Sequence, residues 1–224
     1  MKNKKLIIFG LSSFAEIAHE YFSEDSDYEV VAFTASKSFI KENKFLGKPV
    51  EPFESIEKKF PPSKFEIFIA LTYGDLNSHR TRFYNESKNK GYTLANYISS
   101  HAFVSSSVKI KDNVFIFENN TIQPFVEIGS NNIFWSGNHI GHHSKVGDNN
   151  FISSHVVISG HCVIGNNNFI GVNATIINNL EIENYCLLGS FVHIVKNIKE
   201  GSLIKGTPNA VNTVSTFNLF KITK

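Results

Sequence analysis

Arginine is almost missing from this chain: Arg80 and Arg82 are the only two among 224 residues. With a formal net charge of +2 and no clustered basic stripe, the composition argues against a nucleic-acid platform. Cysteine is as scarce, with Cys162 and Cys186 alone. They are expected to pack as small apolar residues, with no disulfide and no thiol chemistry, which fits a reducing compartment. No apolar run nears the ~20 residues of a membrane-spanning helix, and the run within MKNKKLIIFG is too short for a secretory signal. A soluble cytoplasmic protein is expected.

What the chain does have is a period. From Val104 to Ile194 an aliphatic residue or Phe stands at every sixth position, sixteen times in succession. With 42% apolar residues, chance would produce that run roughly once in a million. A second period lies over the first. Asn/Asp/Gly-rich turns recur every eighteen residues, as KDN from Lys111, GSNN from Gly129, GDNN from Gly147, GNNN from Gly165 and EN from Glu183. Asn and Gly tolerate positive φ and suit corners, so three hexads make one coil of a parallel β-helix, with about five coils in all. Two residues before each aliphatic a small inward position is expected, as at Val114, Val126, Ser144, Val156, Cys162, Ala174 and Cys186. Gly129, Gly141, Gly147, Gly165, Gly171 and Gly189 follow the aliphatic and are expected to ease the bend out of each strand.

The first 98 residues read differently. Strands are predicted over 5–9, 28–33, 65–71 and 92–98, with helices over 14–22, 55–60 and 77–90. This alternation predicts a small parallel-sheet domain at 1–98, joined without a flexible tether to a β-helix at 99–210 and a tail at 211–224. The tail is expected to be a strand or arm docked on the helix end or on a neighbouring subunit. The loop Gly10-Leu11-Ser12-Ser13-Phe14-Ala15 partly follows a GxGxxG phosphate turn. It could hold a phosphate, or Ser12 or Ser13 could simply cap the helix. Thr34, Ala35 and Ser36 close the second strand where an acid would hold the ribose of NAD, so NAD is not expected.

Seven of the nine histidines lie at or after His101, and three fall within Asn138-His139-Ile140-Gly141-His142-His143. Ile140 points inward in hexad register, which puts His142 and His143 on the outside of a turn. The string Gly141-His142-His143-Ser144-Lys145-Val146-Gly147-Asp148 resembles the H-[DE]-x-x-[IV]-G segment of the sialic-acid O-acetyltransferase-like family of nucleotide-sugar acyltransferases. That family includes the N-acetyltransferases for bacillosamine-, perosamine- and viosamine-type sugars. The closing segment Gly206-Thr207-Pro208-Asn209-Ala210 is similar to the family's G-x-P-A ending.

The resemblance implies a left-handed β-helix behind a Rossmann-like nucleotide-sugar domain, and an acetyl-CoA-dependent transfer to the C4 amine of a nucleotide-linked 4-amino-4,6-dideoxy sugar for surface glycans. It makes His142 the general base, with His143 standing where relatives carry an acid that orients the imidazole. Gly160, one coil after His142, becomes a backbone donor to the oxyanion and a neighbour of the acetyl group, or else only an edge glycine. Coenzyme A is expected against Val172, Gly189, Ser190 and Lys205, with less weight on Lys196. Gly10, Ser12, Ser13, Phe14 and Trp135 are expected around the nucleotide sugar, and the assembly is expected to be a homotrimer.

Three other readings remain. O-acetylation of a sialic acid or similar sugar needs the same base. A non-catalytic scaffold would use the prism only to oligomerise. A zinc enzyme built on hexapeptide coils needs a His pair five apart beside a third His in an earlier coil. No pair here has that spacing and no His stands between His101 and His139, so no metal is expected.

Overall fold

The computed structural model describes residues 2–206 and 213–222. Its N-terminal sheet contains β1 (Lys4–Phe9), β2 (Tyr28–Ala35), β3 (Lys44–Phe45), β4 (Lys48–Pro52), β5 (Glu66–Ile69) and β6 (Thr93–Leu94) in the order β3-β4-β2-β1-β5-β6. Every pairing is parallel except β3 with β4. β1 sits between β2 and β5 and is covered on both faces, as its unbroken LIIF run requires. Leu6 and Ile8 join the cluster around helix α1 (Ser13–Glu24), whereas Ile7 and Phe9 join Phe53, Ile56 and Tyr92 on the face of helix α2 (Ser78–Asn89).

Three readings of this region change. The strand expected over 92–98 is split: Thr93–Leu94 completes the sheet, while Tyr97–Ile98 is the first rung of the prism. The helix expected over 55–60 is a 3-10 segment, Phe53–Lys58, broken at Ser55, where φ is −133°. β3 and β4 had no forecast because Pro49 and Pro52 break the strand pattern of β4, which lies between β2 and the two-residue edge strand β3.

Beyond Tyr97 the chain winds into three parallel sheets with seven, six and five rungs. Each rung is two residues long, and partners stand eighteen residues apart, as in Ile116 with Phe134 and Ile140 with Ile158. The recurrent aliphatics fill the axis. After Ile194 the eighteen-residue period is lost, yet one shortened turn follows: Leu203–Ile204 pairs with Leu187–Leu188 across sixteen residues, and Ile182 bridges to Ile198. Cys162 and Cys186 are free, buried in the axis, and pushed up in pKa by that burial.

The inward small position also holds asparagine. Asn120, Asn132, Asn138, Asn150 and Asn168 are buried, and their amides satisfy the backbone of corners one coil on. Asn132 donates to the Gly129 and Gly147 carbonyls and accepts from the Asn150 N–H, and Asn150 in turn accepts from the Asn168 N–H. Buried backbone groups must be paired somewhere.

The hexad glycines are needed for a different reason from the bend. Gly129, Gly141, Gly147, Gly165, Gly171 and Gly189 are absent from the left-handed region, which the corners reach through Asn113, Asn131, Asn149 and Asn167 (φ 52° to 65°). At Gly129 a Cβ would lie 2.6 Å from the Gly147 carbonyl oxygen and 2.7 Å from its carbon. Neither is a side chain that can swing away. Gly129→Ala is expected to destabilise the chain by about 1–3 kcal/mol through overpacking, measured by urea unfolding; an unchanged midpoint would contradict this stacking.

The sheet unit packs directly on one prism wall. Phe14, Tyr21 and Phe22 of α1 meet Phe115, and Tyr73 meets Phe151 and Phe169. Three carboxylates help bind the two parts. Asp25 accepts from the Tyr97 hydroxyl and Ser100 N–H, Glu118 from the Tyr21 and Ser136 hydroxyls, and Asp112 from Tyr84 and Lys88. Burial alone would raise these carboxyls, but the hydrogen bonds outweigh it and hold all three below the ordinary range. A carboxyl with a lowered folded pKa stabilises the fold above its unfolded value, about 4, and that contribution vanishes as pH falls through the folded value. Urea midpoints should therefore be level above about pH 5 and decline below about pH 4; a midpoint unchanged at low pH would deny these bonds their part.

The described tail residues form a short helix, Thr216–Phe220, capped by Ser215, instead of a strand. The Thr207–Ala210 part of the closing motif lies outside the described residues.

Candidate active site

The prism sorts the expected residues onto two of its edges. Gly141 to Ser144 and Ser159 to Cys162 are consecutive corners of one edge, because each follows a rung of the same sheet, His139–Ile140 and Val157–Ile158. His142, His143 and Gly160 therefore come together. Trp135, Val172, Gly189, Ser190 and Lys205 follow rungs of the seven-stranded sheet and share the neighbouring edge. One wall of the prism separates the two groups.

On the first edge the His142 ring lies across Gly160: a Cβ there would be 2.9 Å from both Cε1 and Nε2 of the imidazole. The His142 N–H is held by the Gln123 side-chain oxygen at 2.9 Å. The equivalent partner for the Gly160 N–H would come from position 141, which is glycine and has no side chain. Among the described residues the Gly160 N–H has no protein acceptor. A free donor beside an imidazole nitrogen is what a developing oxyanion requires.

Gly160→Ala should push the ring aside while sparing the fold, since the crowding atoms end a movable side chain. A misplacement near 1 Å corresponds to a loss in kcat on the order of 10²-fold, with melting temperature changed little. Wild-type kcat in this variant would remove the role given to the His142–Gly160 contact.

His143 has the left-handed backbone of a corner residue, φ 59°. Its Nδ1 lies 3.1 Å from Nδ1 of His142, so the two rings share a hydrogen bond. One nitrogen must donate and the other accept. When His142 donates through Nδ1–H, its Nε2 keeps a lone pair facing Gly160, which is the tautomer a base needs. His143 also lies against Phe125, with ring centroids 4.7 Å apart.

The sequence reading missed His161. It stands eighteen residues after His143, takes the same φ of 59°, and stacks on it at 4.9 Å and 14° between planes. The coil length contained this signal; a search for pairs five apart could not find it.

On the second edge Val172 and Ser190 are exposed and lie one coil apart, joined through the Phe191 N–H to the Val172 carbonyl. Gly189 is stacked under the Gly206 nitrogen, where a Cβ would stand 2.8 Å away. Lys205 and Lys196 are exposed, but Lys196 falls on the His142 edge.

The Gly10 loop opens at the C-terminal end of β1, where the sheet order turns from β2 to β5. Crevices of this kind hold ligands in open α/β sheets. Gly10 has φ 135° and is so close to β5 that a Cβ would sit 2.7 Å from the Ala70 carbonyl oxygen. Ser12 makes no side-chain cap; instead its carbonyl accepts from Ala15 and Glu16. Ser12 and Ser13 are exposed at the start of α1, beside backbone N–H groups suited to an anion. The Phe14 side chain is buried against Phe68, Phe115, Phe117 and Trp135, so at this position the loop offers a ligand its backbone. Trp135 is half-buried and stacks on Phe117 at 4.6 Å. Through Phe14 and Trp135 the loop rests on the second edge.

A cleft of about 520 Å³ opens elsewhere, among Tyr21, Asp25, Tyr97, His101 and Glu118. Its Asp25 and Glu118 carboxylates already serve the junction bonds, and His142 does not line it. No described helix is long and apolar enough to cross a membrane.

Residues 107–142 and 161–196 match the family described as bacterial transferase hexapeptide (six repeats). No curated protein matches the sequence. Among solved structures the chain resembles the acetyltransferase domain of PglB from Neisseria gonorrhoeae, at 21% identity over 92% of this chain and 98% of that one, with a TM-score of 0.82. It also resembles PerB from Caulobacter crescentus in complex with CoA and GDP-perosamine, at 22% identity over 91% and 95% of the two chains, TM-score 0.78. A mutant of perosamine N-acetyltransferase from the same organism gives 20%, 94%, 97% and 0.78. The shared architecture is an N-terminal α/β sheet followed by a left-handed parallel β-helix.

Proposed function

We propose that the chain is an acetyl-CoA-dependent N-acetyltransferase acting on a nucleotide-linked 4-amino-4,6-dideoxy sugar. The observation that carries this is the pairing of His142 with the free N–H of Gly160 on an exposed prism edge. The proteins of like fold named above, two of them with CoA and GDP-perosamine, support the same chemistry.

In this reading Nε2 of His142 takes a proton from the sugar amine as the nitrogen attacks the acetyl carbonyl of the thioester. The Gly160 N–H faces the oxyanion, and the CoA thiolate departs as the intermediate collapses. The diphosphate rests on the Gly10 to Phe14 loop, held by backbone N–H groups and the Ser12 and Ser13 hydroxyls, beside Trp135. Pantetheine runs along Val172, Gly189 and Ser190, with Lys205 near a phosphate.

Within one chain those residues and His142 lie on different edges, and packing three prisms about a common axis brings one edge against the next. A cytoplasmic homotrimer is the assembly that completes the site. Its solution mass by light scattering would be three chains; a strict monomer with full activity would sink that part.

The function is tested by thiol release from acetyl-CoA with a panel of nucleotide-linked 4-amino sugars and their 4-hydroxyl counterparts. Turnover confined to the amines is expected. Turnover confined to hydroxyl sugars would give O-acetylation instead, and no release with any sugar would end the acetyltransferase reading.

A further inference from the structure

We propose that His142, His143 and His161 form a binding site for a divalent transition-metal ion of the zinc type, and that an ion held there opposes acetyl transfer. The three imidazoles are exposed, and one nitrogen from each lies within 4.8 Å of the others. The backbone fixes them as a group. The His161 N–H donates to the His142 carbonyl at 2.9 Å, the His143 N–H donates to the Pro124 carbonyl at 3.2 Å, and His143 and His161 share one corner conformation in successive coils.

The chemistry of the donors selects the ion. Two imidazole nitrogens bound to a tetrahedral ion at 2.0–2.1 Å stand roughly 3.3 Å apart, and the Nδ1 atoms of His142 and His143 are already 3.1 Å apart. The widest separation must close by on the order of 1.5 Å, which exposed rings can achieve by rotating. Three neutral nitrogens without a carboxylate suit zinc, cobalt, nickel or copper and disfavour magnesium or calcium. A fourth position stays open to water.

The consequence for transfer rests on the function proposed above. An ion on Nε2 of His142 blocks the base directly. An ion on Nδ1 forces the ring proton onto Nε2 and leaves no lone pair there. Either way the ion is an inhibitor and not a cofactor. The absence of any His pair five apart does not bear on this site, because its third ligand comes from the coil repeat.

The test uses the full chain with Co²⁺ as the probe, since four-coordinate cobalt absorbs visibly, and Zn²⁺ in competition. One Co²⁺ per chain is expected, displaced by Zn²⁺. His142→Asn, His143→Asn and His161→Asn should each weaken binding about tenfold or more, while His139→Asn should not. Asparagine tolerates the corner backbone, so these exposed variants keep the fold. Absence of saturable binding, or binding indifferent to His161→Asn, would overturn the site. Thiol release is read separately: zinc should slow the wild type about tenfold or more and spare His161→Asn. Zinc-insensitive turnover by a metal-loaded chain would overturn the inhibition. A chain that binds cobalt but acetylates nothing would refute the proposed function and leave the site standing.

Discussion

His142→Ala is expected to lower turnover of a nucleotide-linked amino sugar by about 10²–10⁴-fold, the usual contribution of a positioned general base. Acetyl-CoA affinity should barely move, because the proposed pantetheine path along Val172, Gly189 and Ser190 does not use the His142 side chain. The fold should be unaffected, since the side chain is exposed and its corner is held by the His142 N–H to Gln123. His143→Ala should cost less, about tenfold, because it removes only the partner that selects the His142 tautomer. Single-turnover rates with equilibrium binding of acetyl-CoA separate these effects. If His142→Ala retains wild-type turnover, the base is elsewhere and the site assignment fails.

Arg80→Met should produce the largest loss of stability, about 3–5 kcal/mol, the scale of stripping a buried charged group from its partners. Arg80 is fully buried. Its guanidinium donates to the carbonyls of Thr72, Asn131, Asn149 and Asn150 and to the Asn77 side-chain oxygen. Burial pulls its pKa down to about 9, which still leaves a cation at neutral pH, and every one of these partners is neutral. The residue ties α2 to two successive corners of the prism. Methionine would fill much of the space but leave those acceptors unpaired. For a chain of this size the melting temperature should fall on the order of 10 °C. Arg80→Lys should lie between, as an ammonium lacks the planar fork that reaches several carbonyls at once. A melting temperature unchanged in Arg80→Met would show that the clamp contributes little.

Much of the prism was legible because its inward positions allow little else: a narrow axis admits one aliphatic per wall, and the sixteen-fold run from Val104 to Ile194 records it. The positive-φ corners at Asn113, Asn131, Asn149 and Asn167 were readable for the same reason. Their second role was not. They form a ladder, Asn113 donating to Asn131, Asn131 to Asn149 and Asn149 to Asn167, with Asn113 also accepting from the Ile69 N–H. Arg80 showed in the sequence only as a rare charge, since nothing local says that a lone arginine is buried.

The covered wall did leave a trace. Phe115, Ile133, Phe151, Phe169 and Leu187 stand one residue before the aliphatic at eighteen-residue spacing, facing outward, where the five-rung wall carries Lys109, Glu127 and Lys145. An outward apolar residue on five successive rungs of one wall, against isolated ones such as Val157 and Val163 on the others, means that something sits on it. On the site, His142 came from a motif, while the free Gly160 N–H depends on Gly141 a coil below, a relation that exists only once the coils are stacked.

Among the described residues, the hydrogen bonds and ring contacts that hold the N-terminal unit to the prism reach no further along its axis than Phe169. Length past that point is unconstrained by docking. A duplicated turn inserted beyond Cys186 would merely carry the terminal segment about 4.8 Å outward. The same insertion between Asn131 and Asn149 would draw apart the two carbonyls that Arg80 spans. Such a chain can evolve longer or shorter variants from one end only.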